Sequence, residues 1–244
     1  MKATPVKTKP IVLGDKLFDI LGLTIKSLQE NSVVAITSKI ISICEGNVVK
    51  IGTKDKNILI KEQADYYLPP DSRYNFSLSI KNNIMIASAG IDESNGNGYY
   101  VLWPKRPQES ANGIRDFLKK KLKLKKLGVI IVDSKTTPLR WGVTGVAIVH
   151  SGFSALNDYI NTPDVFGRLF QFEKANIADM LAASAVGVMG EGNEQTPIAL
   201  IEDIPFVHFQ DRNPTRKEIN NLAIKMEDDL FSELLKKVAW KKGG

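Results

Sequence analysis

The chain has 244 residues, of which 43% are hydrophobic, 8% aromatic and 25% charged, proportions that exclude a disordered or fibrous protein and supply a sizeable core. Lys and Arg outnumber Asp and Glu by 33 to 27, but six lysines fall between Lys119 and Lys126, so one short segment carries the whole net charge of +6 and no nucleic-acid partner is expected. The single cysteine, Cys44, excludes an internal disulfide, and with only two histidines, His150 and His208, any metal is left to oxygen ligands.

Apolar residues Leu17, Phe18, Leu21, Ile25 and Leu28 recur at helical spacing behind Asp15, a good cap, and predict a helix over 16–30. The Val- and Ile-rich stretch 33–43 reads as a strand, with Gly46 and Asn47 turning a hairpin back into 48–51. Over 53–80 the polarity is mixed and Pro69-Pro70-Asp71 breaks the pattern, so a short helix, a loop and a return strand are expected. An apolar strand over 84–89 runs into the loop 90–98, dense in Gly, Asn, Asp and Ser. Ser110 caps a helix to about 126, with Ile114, Phe117, Leu118, Leu122 and Leu124 inward and the lysines on its wet face.

Residues 129–132 are apolar on both strand faces, which predicts a central strand, and the strand ends on Asp133, a carboxylate that needs a partner. A strand is expected over 143–149. Asn176 with Asp179 opens a helix to Met189, apolar or small at nearly every position and therefore buried all round; residues 190–195 stop it and 197–202 return as a strand. A last helix runs from Pro214 to about Trp240. There are no repeats and no linker, so the expectation is one unit over 1–244, of α+β class, with mixed sheets in one or two interleaved lobes. No apolar run approaches a membrane span and no leader pattern opens the chain, so a soluble, cytoplasmic protein without a membrane partner is expected.

Three acids stand out by placement: Asp92 in the Gly/Asn/Ser loop, Asp133 at a buried strand's end, and Glu191 between two glycines. Acids beside Gly and Asn ordinarily form turns or caps, but carboxylates held by rigid elements are also what hard divalent cations require. The segment 46–54 superficially resembles a P-loop and fails it, because its glycines are one residue too far apart and Thr53 precedes Lys54. A better phosphate cradle is 190–196, where two glycines admit backbone N–H groups to a ligand. Lys39, Arg140 and Arg168 are the candidate cations, Arg140 first among them because a guanidinium in that Pro- and Trp-flanked turn suits an oxyanion. Ser38 and Ser134 are candidate hydroxyl ligands, and His150 reads as a core histidine.

In order, the segments Thr37-Ser38-Lys39-Ile40-Ile41-Ser42 with Glu45-Gly46, Ala89-Gly90-Ile91-Asp92-Glu93-Ser94-Asn95, Val129-Ile130-Ile131-Val132-Asp133-Ser134, Arg140-Trp141-Gly142, Asp164-Val165-Phe166-Gly167-Arg168, Ala178-Asp179 and Met189-Gly190-Glu191-Gly192 resemble the coenzyme F-420 gamma-glutamyl ligase family over about 10–203, leaving 204–244 as a helical extension. The resemblance implies two α+β lobes, an intertwined homodimer, and an amide ligase that uses GTP or ATP with Mg2+ or Mn2+ to join L-glutamate to a small-molecule acceptor through an acyl phosphate. It further implies that Asp92 and Asp133 hold one metal and Ser134 and Glu191 a second. Ser38, Lys39, Asn95, Met189, Gly190, Glu191, Gly192, Asn193, Glu194, Gln195 and Thr196 would then surround the nucleotide. Asp92, Asp133 and Arg140 are the candidate catalytic residues.

The chain departs from the family pattern at Ile43, where a lysine is usual, at Thr137, where an arginine is usual, and at Val6-Lys7-Thr8-Lys9. The Glu191-Gly192-Asn193-Glu194-Gln195-Thr196-Pro197 version of the loop, with Ile43 and the C-terminal extension ending near Trp240, resembles the folate gamma-glutamate ligase branch, so a folate-like acceptor is expected first. The deazaflavin coenzyme is the alternative acceptor, and a nucleotide-binding protein that has lost turnover is the alternative of another class.

Overall fold

The computed structural model describes residues 1–70 and 73–244. In chain order its elements are β1 (Lys2–Val6), α1 (Leu17–Thr24), β2 (Ser32–Thr37), α2 (Ser38–Glu45), β3 (Val48–Lys50), α3 (Lys56–Gln63), β4 (Tyr66–Tyr67), β5 (Leu78–Lys81), β6 (Ile84–Ala87) and β7 (Tyr99–Val101). There follow α4 (Pro107–Leu122), β8 (Leu127–Lys135), β9 (Thr144–Ser151), β10 (Leu156–Asp158), β11 (Lys174–Asn176), α5 (Ile177–Met189), β12 (Ile198–Glu202), α6 (Arg216–Asn220), α7 (Ser232–Leu235) and β13 (Lys241–Lys242). The class is α+β.

The main sheet runs β1-β12-β2-β8-β9, with β2 and β8 parallel and the other pairs antiparallel. Its middle strands are covered on both faces. Val33, Ala35, Ile130 and Val132 meet Leu181, Ala182 and Ala185 of α5, while Val34, Ile36, Val129 and Ile131 meet Leu21 of α1 and Ile114 and Leu118 of α4. That is why 129–132 carries no polar alternation. Gly145 of β9 is required by this packing, because a Cβ there would lie 2.2 Å from the Ala182 carbonyl oxygen. A smaller cluster, Leu59, Ile60, Ala64, Ala89, Ile91 and Leu102, forms a second lobe around α3 and the sheet β13-β4-β5-β6. The C-terminal β13 pairs with β4, so the chain's end returns to close a lobe built from its first half.

Several elements differ from the sequence expectation for identifiable reasons. The strand expected over 33–43 ends at Thr37, and Ser38 begins a helix. Gly46, left-handed at φ 69°, ends that helix, with Gly46 N–H donating to the Ile43 carbonyl (3.1 Å) and Asn47 N–H to the Ser42 carbonyl (2.8 Å), so Gly46-Asn47 is a helix cap and not a hairpin turn. β3 then pairs with β7. Asp15 does not cap α1; its carboxylate takes Lys9 Nζ at 2.6 Å and Val12 N–H at 2.9 Å, and the helix stops at Thr24. Pro107 opens α4, which places Ser110 inside the helix, and the helix ends at Leu122, so only the first three lysines of the octet are helical. Asp133 lies two residues before the end of β8 and not at it. In the Pro69-Pro70-Asp71 break, Asp71 lies outside the described residues.

The expected all-round burial of α5 is limited to one face, since Met180 is 52% exposed and Val188 37%. The long last helix resolves into two short pieces without buried residues. Leu230, Phe231 and Leu234 stay exposed, and helical propensity alone holds short helices poorly without an apolar face to bury.

His150 is a core residue at 1% exposure, in edge-on contact with Phe153 at 5.5 Å between ring centroids. Its Nε2 has no hydrogen-bond partner among the described residues, and burial drives its pKa down to about 4 despite Glu218. The unfolded chain binds a proton near the ordinary 6.5 while the folded chain resists it, so stability present above pH 6.5 is lost as pH falls toward 4. The full loss is about 3 kcal/mol. Chemical denaturation across this window is expected to show that loss in the native chain and a flatter curve for His150→Leu.

Candidate active site

A cavity of about 530 Å³ opens at the C-terminal ends of β2 and β8, between the lobes. Each wall has a local cause. The β2–α2 junction projects Lys39 from the first helical turn; the tight turn after β6 delivers Asp92; β8 carries Asp133 and Ser134; and the end of α5 supplies Met189 and the loop after it Gly190, Glu191, Gly192, Asn193, Glu194, Gln195 and Thr196. Asn95 completes the rim and ties it together, its side-chain amide donating to the Gly192 carbonyl at 2.9 Å.

Lys39 Nζ lies 2.5 Å from Asp92 Oδ2 and donates to the Ser94 carbonyl at 3.0 Å. Asp92 Oδ1 accepts from the Ser94 N–H and hydroxyl, each at 2.8 Å. Burial acts to raise the Asp92 pKa, but the Lys39 ammonium and the Ser94 donors overcome it and hold the carboxyl below its ordinary value. Asp133 is opposite in character. Its outer edge opens on the cavity while the rest is surrounded by protein, and this burial pushes its pKa up to about 6. The Trp103 indole N–H on Oδ2 and the Ser134 N–H on Oδ1 at 2.8 Å work against the rise, and the Asp92 charge adds to it. Glu191 is also raised, by burial first and then by Asp92 and Glu194, against a Ser134 hydroxyl that donates to its Oε2 at 3.4 Å.

The indole that holds Asp133 is itself fixed. Trp103 is 2% exposed, Asn47 Nδ2 donates to its carbonyl at 2.6 Å, and the buried Lys81 ammonium stands 5.3 Å from its ring centroid. Burial brings the Lys81 pKa down to about 8. Gly90, at φ 69°, passes so close to the ring that a Cβ would lie 2.2 Å from the indole nitrogen.

Of the candidates named from the sequence, Lys39, Asp92, Asn95, Asp133, Ser134 and residues 189–196 line one cavity. Three candidates fall outside it. Ser38 is buried, 5% exposed, with only its neighbours Thr37 and Lys39 at the wall. Arg140 sits on the exposed β8–β9 loop between Leu139 and Trp141, themselves 103% and 92% exposed, and in this chain it does not reach the cavity. Arg168 likewise lies in the exposed turn that Asp164 organises. The sequence reading missed the segment 8–12, which lines the cavity and is pinned by the Thr8 N–H to the Gln195 carbonyl at 2.9 Å. It also missed Trp103, whose only signal was its apolar, Pro-flanked setting. Ile43, the departure from the family's lysine, is part of the cavity wall.

The donors suit a hard divalent cation. All are oxygens, and two of the three carboxylates carry raised pKa values that a cation would relieve. They are not drawn into a chelating cluster: among the described residues no three Asp, Glu, His or Cys side chains are close enough to hold an ion, and Lys39 occupies the Asp92 oxygen. The glycine loop already cradles one anion of its own, since Gly192 N–H donates to Glu194 Oε2 at 2.8 Å and the same carboxyl covers Gly190.

The sequence profile described as F420-0:Gamma-glutamyl ligase matches residues 54–203. A protein of Methanococcus maripaludis strain C6 named "Coenzyme F420:L-glutamate ligase" is 34% identical over 243 aligned positions, covering 91% of this chain and 94% of its own. Proteins of the same name from Methanocaldococcus jannaschii and Methanopyrus kandleri are 39% identical over 62% of the chain, covering 58% of the former, and 29% identical over 78%, covering 82% of the latter. The chain belongs to the F420-0:gamma-glutamyl ligase family, and its class of activity is gamma-glutamyl ligation. No described helix is long and apolar enough to cross a membrane.

Proposed function

We propose that this chain ligates L-glutamate through its amino group to a carboxylate of a deazaflavin coenzyme, using GTP or ATP and Mg2+ or Mn2+. The observation that carries the reading is the convergence of Asp92, Asp133 and Glu191 with Lys39 and a glycine loop on one cavity. The relatives' names support the deazaflavin acceptor; the folate-like acceptor expected from Ile43 and the C-terminal extension has no counterpart among them.

An acceptor carboxylate oxygen attacks the γ-phosphorus and the nucleoside diphosphate leaves, giving an acyl phosphate. The glutamate amine then attacks the acyl carbon, phosphate leaves, and the amine gives up its proton to form the amide. No protein nucleophile is needed, so the chain contributes position and charge. Lys39 holds Asp92 in place and offers its ammonium to a phosphate oxygen. The backbone of 190–196 takes the phosphates, with Glu194 turning out of the cradle it now fills. Trp103 fixes the Asp133 carboxylate toward the reacting groups. Asp92 and Asp133, and Ser134 and Glu191, would hold divalent cations, which would supply neutralisation of the phosphate charge.

The exposed apolar residues Leu139, Trp141, Val165 and Phe166, on two excursions of the chain, support assembly as a homodimer, which sedimentation will reveal as twice the chain mass. The activity is checked by release of nucleoside diphosphate. Release that requires both L-glutamate and the deazaflavin acceptor is expected; nucleotide binding without release under any acceptor identifies a lapsed ligase instead.

A further inference from the structure

Alternation along β5, Leu78-Ser79-Ile80-Lys81, puts Leu78 and Ile80 on one face and Ser79 and Lys81 on the other. A strand ordinarily buries the apolar pair. Here Ser79 and Lys81 are buried, at 0% and 8% exposure, while Leu78 is 40% exposed. The register responsible is fixed by the two-residue turn Asn82-Asn83, left-handed at φ 49° and 61°, which pairs Lys81 with Ile84. Ser79 answers its burial locally, its hydroxyl donating to the Ile86 carbonyl at 2.5 Å and accepting from the Ala89 N–H at 2.7 Å. Lys81 brings a charge into the same interior.

Among the described residues no carboxylate lies within ion-pair distance of that ammonium. Its Nζ donates to Gln63 Oε1 at 2.9 Å and stands over the Trp103 ring, 5.3 Å from the centroid. Burial works against the charge, and the fields of Asp65 and Asp133 work for it. An aliphatic side chain at this position would escape the desolvation altogether, so stability does not account for the lysine, and a local rule broken against stability marks a functional site. The neighbour that the ammonium acts on is the indole whose N–H donates to Asp133 Oδ2. Gln63 belongs to α3, Lys81 to β5 and Asp133 to β8, so these contacts run from the second lobe into the main sheet. A cation on the face of an indole is held by the ring's negative potential. It draws π density toward itself, which leaves the N–H more positive and a stronger donor.

We propose that Lys81 is a positioning residue for ligation: its ammonium, held by Gln63 over the Trp103 ring, keeps the indole N–H turned and polarised toward Asp133. The effect on turnover rests on the function proposed above, in which Asp133 faces the reacting groups; the contact between ammonium and indole rests on the geometry alone.

The test places Lys81→Met, which keeps the length of the side chain and removes the charge, in the full chain with and without Trp103→Phe. Turnover falls about tenfold, the factor that a desolvated cation–π contact carries. The KM values for nucleotide, glutamate and acceptor stay within about twofold, and the melting midpoint is unchanged or raised. In the Trp103→Phe chain, which lacks the N–H, the same substitution changes turnover by less than about twofold, because the two residues act in series. Native turnover in Lys81→Met, or a tenfold loss that persists undiminished beside Trp103→Phe, overturns the proposal. Lys81→Gln, which keeps a donor for Gln63 without the charge, is the second variant; if neither folds, the lysine is structural and the proposal falls. If the native chain releases no nucleoside diphosphate with any acceptor, the ligase reading fails by itself, and tryptophan emission then decides the contact. Trp103 is the most buried of the three tryptophans, so Lys81→Met changes the emission of the native chain and not that of Trp103→Phe. Emission indifferent to Lys81 overturns the contact and the proposal with it.

Discussion

Asp133→Asn is expected to lower ligase turnover by roughly 10³-fold while leaving the fold intact and the chain more stable at neutral pH. The reason lies in the burial that pushes the Asp133 pKa up to about 6. A carboxyl of raised pKa is stabilised relative to the unfolded chain below its ordinary value of 3.8, and that advantage is lost as pH rises through 6. At pH 7 the ion-free protein therefore holds a carboxylate at a cost of about 3 kcal/mol. Asparagine keeps an acceptor oxygen for the Trp103 indole and removes the charge, and with it the cost, while its amide nitrogen gives up the bond that Oδ1 accepts from the Ser134 N–H, a loss of about 1 kcal/mol that leaves a net gain. Denaturation midpoints of the two proteins at pH 7.5 and at pH 4 check the sign: the variant gains at the higher pH and not at the lower. An inactive variant that is also less stable at both values assigns Asp133 a structural role.

Gly90→Ala is the second large effect, and it acts through the indole. The added methyl would sit 2.2 Å from the atom that donates to Asp133, at a residue whose φ of 69° already disfavours a side chain. The left-handed backbone costs about 1 kcal/mol and displacing a packed ring about 1 to 3 kcal/mol, so a loss of roughly 2 to 4 kcal/mol is expected. Below the melting transition, turnover falls as well because Asp133 loses its orientation. Trp103→Phe separates the two causes: it keeps an aromatic ring against Gly90 and removes only the N–H. Its expected signature is a smaller loss of stability with a comparable loss of turnover, and an acid limb of the rate profile moved to higher pH.

Much of this site was legible because its parts are local. The central strand announced itself through residues 129–132, apolar on both faces, and Asn176 capped α5 as read, accepting from Asp179 N–H. The glycines around Glu191 marked a loop that does line the cavity. What was not legible depends on contacts distant in sequence. Lys39 reaches Ser94, 55 residues on, and Trp103 reaches Asp133, 30 residues on, and neither partner leaves a mark beside the other. The segment Ser38–Glu45 misled because Ile40, Ile41 and Ile43 are β-branched residues that favour strands, while the helix is imposed by burial against β2 and β8 and by the Gly46 cap. Arg140 misled for the opposite reason. Its chemistry suited an oxyanion, but the β8–β9 loop carries it out to solvent.

The resemblance and the geometry meet in the acids. The lysine-rich segment that dominates the net charge is a solvated feature: Lys119 pairs with Asp211, Lys121 donates to the Gly22 carbonyl, and Glu30 takes the backbone N–H groups of Lys125 and Lys126. None of these reaches the cavity.

The most direct measurement is mass spectrometry of the acceptor after incubation of the chain with L-glutamate, GTP, Mn2+ and a deazaflavin coenzyme lacking glutamate. The account predicts an acceptor heavier by one glutamyl residue, with one nucleoside diphosphate formed per addition and neither product with Asp133→Asn. An unchanged deazaflavin acceptor, or an addition that persists undiminished in Asp133→Asn, contradicts it.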